Sequence, residues 1–173
     1  MRSSSPPKHN QAAPEQRDNV ASVRWTRGVP DTLRALDTIE SPDYSDVVTG
    51  TVSETSGRTP EEWLRTMLEG VPRGLLLAVP AIQRVALGLR LQMRPSPEHV
   101  VGWKIVERGE DWMRIEAASW FLTGHVIVHV EDGHLSFATF VRYDRLPAAI
   151  IWPPVSLIHR QVALMLVRAA ARA

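Results

Sequence analysis

Between residues 100 and 143 apolar and polar positions alternate in runs joined by short turns, and after "WPP" (152–154) the apolar spacing changes to three and four. The first period predicts strands and the second a helix. Strands are expected at about 100–107, 112–121, 124–130 and 135–143. Asp132-Gly133 is a two-residue hairpin signal that pairs Glu131 with His134. It sets Val130 opposite Leu135, Val128 opposite Phe137 and Val126 opposite Thr139. With Thr123-Gly124 in the preceding turn, Phe121 faces Val126, Ser119 faces Val128 and Ala117 faces Val130. One face then carries Met113, Ile115, Ala117, Ser119, Phe121, Val126, Val128, Val130, Leu135, Phe137, Thr139 and Val141. Trp103 and Ile105 join it, with Val101. That face is almost wholly apolar, and a one-residue slip would exchange it for the other. It needs a cover, and the helix after Pro153 and Pro154 supplies one, with Val155, Ile158, Val162, either Met165 or Leu166, and Ala169 at helical spacing.

Upstream, "TPEEWLRTMLEG" (59–70) is a helix with Thr59 as cap, Pro60 at its first position and Glu62 closing a capping box. A second helix is expected over about 73–91, broken or kinked near Pro80. Residues 43–53, rich in Val and Thr, read as a strand, and Gly50 within it suggests a bulge. The pattern leaves residues 21–42 open, apart from a short helix at "VPDTLRALDTI" capped by Asp31 with Leu33 and Leu36 inward. Residues 1–20 lack apolar periodicity and read as a disordered tail, which places the domain at 43–173.

Composition narrows the function. The chain has 173 residues, enough for one domain plus a tail, and 44% are hydrophobic. With 20 basic and 19 acidic residues there is no electrostatic reason to bind nucleic acid. The lack of cysteine excludes thiol nucleophiles, disulfides and cysteine-based zinc sites, and fits a reducing, cytoplasmic setting. The N-terminus has no signal-peptide core. The apolar run "GLLLAVPAIQRVALGL" is interrupted by Pro80, Gln83 and Arg84, so no transmembrane segment is expected there.

Strand, two helices, antiparallel strands and a long C-terminal helix is the order of the helix-grip fold. The chain resembles the START-like (SRPBCC) superfamily, and within it the uncharacterised DUF2867 proteins. The residues that carry the likeness are "PDYSDVV" (42–48), "PEEWLRTML" (60–68), "GWKIVE" (102–107) and "IIWPPVSLIHR" (150–160). The resemblance implies an α+β fold with an antiparallel sheet wrapped around the C-terminal helix. It also implies a pocket between them for a lipid-like, polyketide-like or other apolar ligand. The superfamily's sheet has more strands than the five counted from this pattern.

The candidate ligand-binding residues are Trp103, Ser119, Thr139 and His159. Small and hydroxyl side chains in mid-sheet leave room beneath the helix. His159 lies beside the helix's apolar stripe and reads either as a polar anchor or base in a pocket, or as a histidine bonded to backbone. No cofactor is expected, and no metal: His125 and His129 share a strand face but lie roughly 13 Å apart. Asp43 and Asp46 have no identifiable partner and receive no chemistry. Three functions follow. The first is binding of a small apolar or amphipathic ligand. The second is a cyclase- or hydrolase-like enzyme using His159 with Ser119 or Thr139. The third is a scaffold with a filled core acting through its convex face. That face carries Trp120, Ile127 and Phe140, rimmed by Arg114, Glu116 and Arg142. Such a patch points to a homodimer, or to residues 21–40 folding back over it with Trp25, Leu33 and Leu36.

Overall fold

The computed structural model describes residues 22–52 and 57–173. The tail expected at 1–20 lies outside the described residues. The elements run β1 (Val23–Arg27), α1 (Asp31–Arg34), β2 (Tyr44–Thr51), α2 (Pro60–Glu69) and α3 (Arg73–Ala86). They continue with β3 (His99–Val100), β4 (Trp103–Arg108), β5 (Trp112–Ala118), β6 (Leu122–Glu131), β7 (His134–Tyr143) and α4 (Leu146–Ala170). The strands form one antiparallel sheet in the order β1-β2-β7-β6-β5-β4-β3. It wraps around α4, which is the helix-grip arrangement.

Several elements follow directly from local chemistry. In α2 the Thr59 hydroxyl accepts from the Glu62 N–H, and the Glu62 carboxylate accepts from the Thr59 N–H at 2.7 Å, the expected capping box. Asp132 and Gly133 both have positive φ, 48° and 72°, so the β6–β7 hairpin closes in the twist-matched turn and its register is the expected one.

Other expectations need correction. The pairing of β5 with β6 places Ile115 opposite Val126 and Ala117 opposite Gly124. The turn is at Ser119–Phe121, and Thr123 and Gly124 lie in the strand. The Ser119 hydroxyl closes this turn by accepting from the N–H groups of Phe121 and Leu122. The register error is an even number of residues, so the side chains within β5 and β6 stay on their expected faces, while Ser119 and Trp120 fall in the turn. The expected strand 100–107 is instead a small hairpin, because Val101 (φ 50°) and Gly102 (φ 86°) turn the chain between β3 and β4. Valine in the left-handed region gives no turn signal in the sequence. Gly50 marks no bulge. It is where α4 crosses the sheet, and a Cβ there would sit 2.6 Å from Val167 Cγ1. Asp31 does not cap α1 but opens it.

α4 starts at Leu146, well before the expected Pro153, and carries Pro153 and Pro154 inside it. Prolines remove the donors that the carbonyls of Ala149 and Ile150 would meet, but both of those residues are exposed, so water reaches them.

The outer face of the sheet is covered by the protein's own N-terminal segment. Leu33 and Ile39 pack with Val47, Ile127, Ala138 and Phe140, and Leu36 borders them. The Arg114 guanidinium donates to the Leu36 carbonyl at 2.8 Å, and His125 Nδ1 meets Asp37 Oδ1 at 2.6 Å. Ile127 and Phe140 are fully buried within one chain, so they form no dimer patch. Trp120 sits apart from them, exposed at the tip of the β5–β6 turn. Trp25 does not join this cover; β1 pairs with β2 and turns Trp25 towards the inner side.

Candidate functional site: a cavity with one polar end

Two apolar clusters fill the inner side of the sheet. One joins α2 and the C-terminal half of α4 to mid-sheet, through Trp63, Met67, Met113, Val128, Phe137 and Val167. The other joins Leu87, Leu89, Phe121 and Leu122 to Ala148 and Trp152 near the start of α4. Between them lies a cavity of about 130 Å³. Val126, Phe137 and Val141 form its floor, Leu64 and Leu166 one end, and Trp152 and Val155 the other. Val79 and Ile82 of α3 close it above. Ile82 and Ile158 line the cavity yet are 38% and 52% exposed, so the mouth lies between α3 and α4.

Trp103, Thr139 and His159 line this space together, and Ser119 does not, because its hydroxyl belongs to the turn. The Trp103 indole rests on Gly124, where a Cβ would approach its ring to 3.2 Å, and its N–H donates to Gln83 Oε1 at 3.2 Å. That bond ties α3 to the sheet. None of the described side chains of α3 is buried, and Leu75 packs only partly buried against the inner core.

The polar end is built from β2, β7 and α4. Asp46 of β2 is paired with Thr139 of β7, so both point inward under α4. Thr139 Oγ1 and His159 Nε2 share a hydrogen bond of 2.9 Å. Asp46 is 1% exposed, and its Oδ2 accepts from the Tyr44 hydroxyl at 2.5 Å and the Trp25 indole N–H at 2.9 Å. Its Oδ1 has no hydrogen-bond partner and lies 3.8 Å from His159 Nε2. Burial pushes the Asp46 carboxyl up, but the His159 imidazole with the donors of Tyr44 and Trp25 outweighs it, and the net shift is below the ordinary 3.8. Burial, and then the adjacent carboxylate, push the Tyr44 phenol well above its usual range. The Trp152 ring packs edge-on against Tyr44 and 5.6 Å from His159. Its Nε1 is buried without an acceptor.

A buried carboxylate therefore stands behind an imidazole that faces an apolar cavity. The Thr139 hydroxyl and the His159 ring nitrogen share one hydrogen bond at this end of the cavity. A ligand atom that accepts hydrogen bonds would satisfy the free Trp152 N–H. The sequence assigns no role to Tyr44, Gln83 or Trp152 and leaves Asp46 without a visible partner. The available signal was a carboxylate at an inward position of an alternating strand, Tyr44-Asp46-Val48, where burial demands a partner. Among the described residues no group of three or more His, Asp or Glu side chains is placed to hold a metal ion.

The sheet, the gripped helix and the space that opens between α3 and α4 define a helix-grip protein with a mostly apolar cavity. No family model matches the chain, and no curated protein matches it.

Proposed function

We propose that the protein binds a small, mostly apolar molecule with one hydrogen-bond-accepting group, held between the sheet and α4. The observation that carries this reading is the cavity itself, lined by apolar side chains apart from Thr139 and His159 at one place and Gln83, already bonded to Trp103, at another. Its volume is close to that of an apolar cavity of roughly 150 Å³ known to admit benzene. A single ring or short alkyl chain fits as the space stands. A longer lipid- or polyketide-like chain fits if α3 lifts, which requires breaking the Trp103–Gln83 bond. The likeness to the START-like superfamily and its DUF2867 members supports the same reading, and the absence of cysteine suits work in the cytoplasm.

Native mass spectrometry of the protein purified from its own host tests the proposal. A retained small molecule is expected, and Val162→Phe, which fills the cavity from α4, should lose it while keeping the fold. No retained mass, together with tryptophan fluorescence from Trp103 and Trp152 unmoved by any aromatic or alkyl probe, overturns it. A second reading, an enzyme using His159 as general base, is favoured by one observation: the buried Asp46 carboxylate stands 3.8 Å behind an imidazole that lines the cavity.

A further inference from the structure

A core helix usually turns a polar stripe to water. α4 does not. Leu146, Ile150, Pro154, Leu157 and Met165 recur at helical spacing on its exposed side, and Gln161 alone interrupts them before Arg168. Leu146 is 85% exposed and Ile150 77%. α3 repeats the feature, with Leu77 76% and Val85 87% exposed. The two helices flank the mouth of the cavity, where Ile82 and Ile158 meet solvent.

Charge is distributed as unevenly as hydrophobicity. Residues 71–97 and 145–173, which contain these helices, hold eight of the 20 basic residues and none of the 19 acidic ones. Arg73 and Arg84 on α3, Arg145 before α4 and Arg168 near its end are exposed. A second copy of the chain docked on this face would bring arginine against arginine. An anionic surface with an apolar interior matches both properties. α4 is also long and apolar enough to cross a bilayer, with a mean hydropathy of 1.4 over its most apolar window. Its other side, however, packs on α2, β1, β2 and β7, so it is suited to lie on a membrane rather than through one.

We infer that the α3–α4 face docks on an anionic lipid surface, with the cavity mouth turned towards the bilayer. Exposed side chains of both helices enter the headgroup region, and the arginines meet lipid phosphates. The inference does not depend on what the cavity holds.

Co-sedimentation of the full chain with vesicles of phosphatidylglycerol and phosphatidylcholine, against phosphatidylcholine alone, tests it. Binding to the anionic vesicles is expected, weakened by salt. Leu77→Glu combined with Leu157→Glu should reduce it about tenfold or more. These side chains are exposed, so circular dichroism and the thermal midpoint should not move. No binding to anionic vesicles, equal binding to neutral ones, or binding that survives the double substitution overturns the inference. So does a dimer in light scattering that the double substitution dissolves without any lipid binding, which would make the face a contact between copies.

Discussion

On its outer face the sheet buries His125 against Asp37; on its inner face it holds His159 beside Asp46. The outer pair is closed. Nδ1 and Oδ1 are 2.6 Å apart, Glu116 stands 3.6 Å from the other ring nitrogen, and Leu33 and Ile39 seal the surroundings. The inner pair is looser, at 3.8 Å, with a carboxylate oxygen left without a hydrogen bond and a cavity in front of the imidazole. The same two residue types serve different ends because of what covers them. A short N-terminal segment fits the outer face and fills it. α4 packs against the inner face through Trp152 towards one end and Val167 towards the other, and a cavity lies between the two clusters. A histidine–carboxylate pair thus signals a site only where the packing around it is incomplete.

The contrast can be broken most forcefully on the filled face. Phe140→Ala should destabilise the protein by about 3–5 kcal/mol in urea titrations, with the mass of any retained molecule unchanged. A loss under about 1 kcal/mol would mean that the N-terminal cover is not packed as a core. On the inner face the crossing of α4 is the tight point. Gly50→Ala should cost about 1–3 kcal/mol by pressing on Val167, and adding Val167→Ala should recover part of it. Additive losses in the double variant would show that the helix does not rest there.

The smallest expected effect concerns the inner pair. Because the folded Asp46 pKa is lowered, its contribution to stability is present above the ordinary 3.8 and is lost as pH falls through the lower folded value. Asp46→Asn should lack that acid limb, and near neutral pH it should be less stable by about 1 kcal/mol. The raised Tyr44 pKa acts at the other extreme. Its contribution is intact below the ordinary 10.0 and is lost as pH rises beyond it. Thermal midpoints across pH measure both limbs, and parallel acid profiles for wild type and Asp46→Asn would remove Asp46 from the account. The same variant separates the two functional readings. In a binding protein it should keep the retained molecule; in an enzyme it should keep the molecule and fail to convert it.

The sequence by itself determined whatever rests on neighbours along the chain. The capping box of α2 is spelled in Thr59, Pro60 and Glu62, and the β6–β7 register follows from two residues that accept positive φ. The division into two faces was legible for a related reason. A strand repeats every two residues, so even the misplaced β5–β6 register kept Thr139 and Trp103 facing inward. Tertiary structure decided the rest. Pro153 and Pro154 read as a helix start, yet α4 runs through them from Leu146, with Ala148 and Trp152 packed against the sheet on the turn before them. Ile127 and Phe140 read as a surface because the pattern of a strand does not say which distant segment will cover it. Asp46 had no visible partner because His159 reaches it only once the last helix is laid across the first long strand, and contacts that distant leave no local mark in the sequence.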